Sequence, residues 1–187
     1  MPKIIDNVRE RAIDEARKVL IGRGYRALTI RQIANELGIA PGTFYNYFPS
    51  KEYLAANVML EDWHQLTQEF ESGLCDQTPE QVFAGLFDLV RSFSLRFVPA
   101  WKEYEVHDSS RPMIHQYHGV LVQQLAGYLC RVIPTAQQEK EPWLADFLAE
   151  MILRFGSDSD ADYDSILPAA EKLLRNVSSD GSVDKQI

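Results

Sequence analysis

Residues 29–54, TIRQIANELGIAPGTFYNYFPSKEYL, place small, apolar and hydrogen-bonding side chains where a groove-reading motif needs them. A helix-turn-helix requires a small residue where its helices touch, a glycine in the tight turn and apolar residues on both sides. Ala34 fills the first role and Gly38 the second, with Ile33, Leu37, Ile39 and Phe44 as the shared core. The second helix of such a motif enters the DNA major groove by its N-terminal end. Here that end presents Pro41, Gly42, Thr43, Tyr45 and Asn46, whose lack of long charged side chains permits close backbone approach. Tyr45 and Tyr47 fall on different helical faces, while Phe44 and Phe48, four apart, supply a buried stripe.

Other chemistries find less support. His115 and His118 have the spacing of a shared metal ligand pair, but no cysteine or paired carboxylate nearby completes a set. Asp160, Asp162 and Asp164 with Glu171 imitate a calcium loop, yet Ser165 replaces the required glycine and Pro168 interrupts; capping of the following helix explains them better. No Ser/His/Asp or Cys/His set stands out, so neither an enzyme nor a cofactor is expected.

The elements that must carry the motif read as helices. Val8, Ala12, Ala16, Val19 and Leu20 recur at three- and four-residue spacing, predicting a helix over 6–23 that Gly24 stops. Thr29 and Gln32 form a capping box for a second helix ending at Gly38. Pro41 starts a short third helix reaching about Tyr47; Pro49 breaks it, and Ser50 caps a longer helix from Lys51. Thr78 and Gln81 form another capping box, ahead of Val82, Phe83, Leu86, Phe87, Leu89, Val90, Phe93 and Phe97. Pro99, Pro112, Pro134 and Pro142 are expected to divide the remainder into a short segment near 101–107 and helices near 113–132 and 143–155, with a last helix near 163–177. No stretch alternates with a period of two, so the fold class is all-α.

The chain has 187 residues and a formal net charge of −8, which at first disfavours a phosphate-rich partner. The charge is unevenly spread. Residues 1–55 hold nine Lys and Arg against six Asp and Glu, a balance of +3; the rest holds ten against twenty-one, a balance of −11. This asymmetry suggests two modules with different partners. Cys75 and Cys130 form no disulfide framework or zinc knuckle, and a reducing cytoplasm fits best. The charged N-terminus is unlike a signal peptide, and no apolar run approaches the roughly 18 residues that span a bilayer.

The quoted segment resembles the DNA-binding domain of TetR-family transcriptional regulators. The pattern is carried by Gly24, Thr29-Ile30-Arg31, Ile33-Ala34, Gly38-Ile39, Gly42-Thr43-Phe44-Tyr45, Tyr47-Phe48 and Ser50-Lys51, and it covers about residues 5–55. Ala40 and Pro41 stand where many members carry Ser and Lys. The resemblance implies a three-helix DNA-binding domain at 1–50 and a larger helical effector-binding and dimerisation domain at 51–177; the polar tail at 178–187 is expected to fray. It also implies phosphate contacts from Thr29 and Arg31, DNA contacts from Thr43 and Tyr45, and a backbone clamp from Tyr47 and Lys51. Lys51 at a helix N-terminus suits this role, because free N–H groups and the helix dipole already favour phosphate there.

The same resemblance implies a homodimer and a ligand cavity. Phe83, Phe87, Phe93, Phe97, Trp101, Tyr104, Met113 and Tyr117, with His118 as a polar group, would suit a small apolar or aromatic effector, although an ordinary core explains the same residues. A dimer face would draw on Phe147, Leu148, Met151, Ile152, Phe155, Leu167 and Leu174. The expectation is a cytoplasmic repressor that binds a pseudo-palindromic double-stranded DNA operator and is released by its effector. A helical small-molecule-binding enzyme and a protein-interaction module without operator binding are the alternatives.

Overall fold

The computed structural model describes residues 7–75, 77–105, 111–158, 161, 166–170, 172 and 174, with side chains at 98–105 and 111–116 excluded. The described residues are helices and connecting turns, without a strand. Eight helices run as α1 Val8–Arg23, α2 Ile30–Leu37, α3 Pro41–Phe44, α4 Lys51–Ser72, α5 Pro79–Glu105, α6 Arg111–Val132, α7 Thr135–Lys140 and α8 Leu144–Gly156. A 3-10 turn, Tyr25–Ala27, joins α1 to α2, and residues 166–170 are again helical. Most of the expected last helix at 163–177, the tail at 178–187, and Asp160, Asp162 and Asp164 lie outside the described residues.

The chain forms two compact units, residues 1–65 with 96–115 and residues 66–95 with 116–187. In the first, α1 buries Val8, Ala12, Ile13, Ala16, Val19 and Leu20, and α2 buries Ile30, Ile33, Ala34 and Leu37. Ala12, Ala16 and Ala34 are wholly buried, and their short side chains let helix backbones approach closely. The Thr29 hydroxyl accepts from the Gln32 N–H at 3.2 Å, as a cap should. The second arm of the expected capping box is replaced: the Gln32 side-chain amide donates to Glu36 Oε1 at 3.0 Å, one turn further along α2. Gly38 closes the helix at φ 68°, a left-handed conformation that a side chain would strain. Its N–H bonds to Asn35 O, and that of Ile39 to Ala34 O, satisfying carbonyls that the helix end would leave open.

The third helix is shorter than expected, because regular helix ends at Phe44 and residues 45–47 continue as turns. Phe48 precedes Pro49, and a residue before proline is driven out of the helical region, so the chain must unwind there. Ser50 then caps α4, its Oγ accepting from the Tyr53 N–H at 3.1 Å.

A carboxylate sits within this unit. Asp62 on α4 is 1% exposed; its Oδ1 accepts from Arg17 Nε on α1 at 2.6 Å and its Oδ2 from an Arg96 terminal nitrogen on α5 at 3.0 Å. Arg17 also bonds Asp14. Burial pulls the Arg17 guanidinium toward its neutral form, but the Asp62 and Asp14 carboxylates outweigh it and raise its pKa.

In the second unit the Thr78–Gln81 box forms in full: the Gln81 N–H donates to Thr78 Oγ1 at 3.3 Å and the Thr78 N–H to Gln81 Oε1 at 2.9 Å. Phe83, Leu86, Phe87, Val90 and Phe93 of α5 are buried. Gly156 marks a close approach of α8 to α5, since a Cβ there would lie 2.8 Å from Val90 Cγ1. Phe70 of α4 meets the Tyr128 ring of α6 edge-on at 5.4 Å.

One expectation about α5 is corrected, and one short helix is added. Pro99 does not end α5, which runs unbroken to Glu105. A proline inside a helix removes one hydrogen bond, at a cost of about 3 kcal/mol, and the wholly buried Phe83, Phe87 and Phe97 along the same helix are sufficient to offset it. The chain after Pro134 forms the short helix α7, Thr135–Lys140, which buries no residue and so leaves no apolar period to read.

Candidate nucleic-acid interface

The segment from Thr29 to Lys51 divides its side chains cleanly between the interior and the solvent. Phe44 and Phe48 are 0% exposed, whereas Tyr45 and Tyr47 are 49% and 40% exposed. The two phenylalanine rings stack obliquely at 5.4 Å and anchor the short α3 from beneath. Gly42, Thr43 and Asn46 are exposed as well, and Pro41 is half-buried. This arrangement follows from the helical turn: four-residue spacing aligns the phenylalanines inward and turns the residues between them outward. The first unit therefore offers a surface of one threonine, two phenols and an amide over a bare glycine, all hydrogen-bonding groups without a formal charge.

Thr29 and Arg31 stand exposed at the start of α2, with the Thr29 hydroxyl already committed as an acceptor to its helix. Its proton remains a donor, so capping and an outward hydrogen bond are compatible. Lys51 is half-buried at the first position of α4, and its Nζ lies over the Tyr25 ring, 4.0 Å from the centroid. The Tyr25 phenol donates to Glu52 Oε1 at 2.9 Å.

Glu52 titrates below its ordinary value of 4.5. Burial pushes the carboxyl up, but hydrogen bonds from its own backbone N–H, the Tyr25 phenol and the Ser50 hydroxyl, together with the Lys51 charge, pull it further down. A carboxyl with a depressed folded-state pKa stabilises the fold fully above its unfolded value and loses that contribution as pH falls through the folded value. Glu52→Gln is therefore expected to flatten the decline of the urea midpoint below about pH 4.5; a decline as steep as in the unmodified chain would disprove this linkage.

Tyr25, Glu52 and Arg9 escaped the sequence reading. Arg9 lies over the Phe48 ring, 5.3 Å from its centroid, and bonds Asn57 Oδ1. Nothing in local spacing joins α1, the 3-10 turn and α4. The one available signal was Tyr25 immediately after the helix-stopping Gly24, a buried aromatic in a turn.

The expected pocket residues are less concentrated. Phe83, Phe87 and Phe93 are buried in the second unit and Phe97 in the first. Tyr117 is half-buried and His118 exposed, with His118 Nε2 3.1 Å from a Glu150 carboxylate oxygen. The side chains of Trp101, Tyr104 and Met113 lie outside the described residues. The expected dimer residues separate into two sets. Leu148, Ile152 and Leu174 are buried within the chain, whereas Phe147 and Phe155 are exposed and Met151 and Leu167 half-buried. Trp143 joins the exposed set, its ring edge-on to Phe147 at 5.8 Å.

Residues 12–58 match the family model described as bacterial regulatory proteins, tetR family. Over this segment the chain is similar to TetR-family regulators. The match ends at residue 58, so it covers the segment with the outward tyrosines and stops short of most of the rest. Among proteins similar to this chain, the HTH-type transcriptional regulator BetI of Brucella anthropi is 29% identical over 113 residues, 57% of this chain and 58% of that protein. The HTH-type transcriptional repressor KstR of Mycobacterium tuberculosis is 30% identical over 74 residues, 39% of this chain and 34% of that protein. The matched parts thus span little more than half of the first relative and about a third of the second. A solved TetR-family regulator from Rhodococcus sp. superposes with a TM-score of 0.61 at 17% identity, covering 91% of this chain and 99% of that one, a likeness of fold. Among the described residues, no helix is long and apolar enough to cross a membrane.

Proposed function

We propose that this chain is a DNA-binding transcriptional regulator acting as a homodimer, a repressor that leaves its operator when a small apolar or aromatic effector binds. The observation that carries this reading is the register of α3 and the turn after it. Gly42, Thr43, Tyr45, Asn46 and Tyr47 face solvent over a buried Phe44–Phe48 anchor, behind a Gly38 turn and ahead of a lysine at the N-terminus of the 22-residue α4. Neutral hydroxyl and phenol donors fix register on phosphates, and small side chains admit close contact with base edges in the groove. Pro41, Thr29 and Arg31 border the same surface.

The dimer is assigned to the exposed face of α8, where Trp143, Phe147 and Phe155 present apolar rings to solvent. Leu148 and Ile152 support that helix from within. Two copies would read the two halves of a pseudo-palindrome, with half-site spacing set by the dimer. An effector seated among aromatics such as Phe83 and Phe87 would favour a dimer whose recognition helices no longer match adjacent grooves. The cytoplasm is the place where such a protein meets its operator. KstR, whose name is that of a repressor, and BetI, a regulator, support the same class.

Selection from randomised double-stranded oligonucleotides with the purified protein tests this reading. Enrichment of an inverted repeat is expected; a pool that stays random through successive rounds overturns it. Operator affinity that is insensitive to a broad panel of drugs and metabolites removes effector control alone.

A further inference from the structure

We propose that Tyr25 is a positioning residue for DNA binding, its ring holding the Lys51 ammonium at the phosphate-facing end of α4. The inference rests on the DNA-binding reading given above. Lys51 Nζ stands 4.0 Å from the Tyr25 ring centroid, well inside the range over which an aromatic face attracts a cation. Tyr25 is itself 1% exposed, so its ring cannot swing away. It is fixed at both ends: the backbone sits in the 3-10 turn behind Gly24, and the phenol donates to Glu52 Oε1 at 2.9 Å. Glu52 is in turn anchored in the first turn of α4, whose start is capped by Ser50.

This arrangement solves a specific difficulty of lysine. A lysine carries a point charge on a flexible four-carbon stem, and confining that stem when a phosphate arrives opposes binding. An aromatic face confines it by attraction to a ring that carries no formal charge of its own, so the ammonium is held in place while it still attracts phosphate. The phenol–Glu52 bond adds a second effect, since it engages the carboxylate next to Lys51 in sequence with the ring's own hydroxyl. Ring and hydroxyl therefore act together: the hydroxyl fixes the ring, and the ring fixes the ammonium.

The test measures binding of the selected duplex at several salt concentrations for the unmodified chain, Tyr25→Leu, Tyr25→Phe, Lys51→Ala and the Tyr25→Leu/Lys51→Ala pair. Tyr25→Leu is expected to weaken binding about threefold to thirtyfold, the range set by confining a lysine stem on binding rather than beforehand, and to lower the slope of log affinity against log salt by up to about 0.9, the share of one phosphate. Tyr25→Phe keeps the ring and should keep most of the slope. In the Lys51→Ala background, the Tyr25→Leu step should change affinity less than about twofold, because no ammonium is left to position. An equal loss in both backgrounds shows that Tyr25 supports only the fold and overturns the positioning role. A Lys51→Ala variant with unchanged affinity and slope instead removes Lys51 from the interface, and so counts against the reading on which the inference rests.

Should Tyr25→Leu fail to fold, the unmodified chain decides the matter by nuclear magnetic resonance. The Lys51 ε-methylene protons should be shifted upfield by the ring in the free protein and remain so in the complex. Their return to ordinary lysine positions when the duplex is added shows that the ammonium leaves the ring to bind, and overturns the inference.

Discussion

Arg17→Ala is expected to lower the unfolding free energy by about 3 kcal/mol, the lower end of the range for removing one partner of a buried ion pair. The reason lies in which group stays behind. Asp62 is 1% exposed while the Arg17 and Arg96 side chains are 26% and 45% exposed. Without Arg17, the buried carboxylate keeps Arg96 alone and cannot turn to water. The converse substitution behaves differently. Asp62→Leu removes the buried charge, preserves volume, and leaves two arginines that reach solvent, one of them still bonded to Asp14. Its cost should stay within about 1 kcal/mol, since apolar replacements of buried ion pairs are often neutral or stabilising. Urea unfolding of both variants and of the double variant checks this asymmetry. The double variant should recover much of the Arg17→Ala loss; equal losses for the two single variants would refute the account.

Gly42→Asp is expected to leave stability close to that of the unmodified chain and to weaken operator binding about 100-fold, as like charges brought together across an interface cost several kcal/mol. A Cβ at Gly42 meets nothing within 4 Å, and its φ is not in the left-handed range, so the fold accepts a side chain there. The new carboxylate would project from among the neutral side chains of α3 and the following turn, toward phosphates and base-edge acceptors. Gly42→Ser, similar in size and neutral, should weaken binding far less. Thermal unfolding and titration of the selected duplex separate the two properties. Normal binding by Gly42→Asp would place this surface away from the DNA.

The N-terminal helices were legible because their rules are local. Thr29, Gly38 and Ser50 act within four residues of their own positions, and the Phe44–Phe48 spacing alone turns the tyrosines outward. Gln32 shows the limit even there: one amide could reach back to the cap or forward to Glu36, and sequence spacing permits both. Pro99 shows a different limit. Proline is a local signal against helix, while the burial that overrides it belongs to α5 as a whole. The exposed Phe147 and Phe155 and the buried Leu148 and Ile152 share one helix, and only tertiary packing tells which rings are covered. Tyr25 and Lys51 are 26 positions apart, so their contact was beyond any reading by local period.

The separation of Phe44 and Phe48 from the residues between them also bears on how such a protein can diverge. Residues that hold the head together and residues that face outward interleave along the chain. A change at an outward position such as 42 or 46 alters the presented surface without opening the core beneath it. The two inward phenylalanines tolerate little change because they are packed, whereas the outward Gly42, Thr43, Tyr45 and Tyr47, which belong to the same shared pattern without being buried, answer to a constraint other than packing.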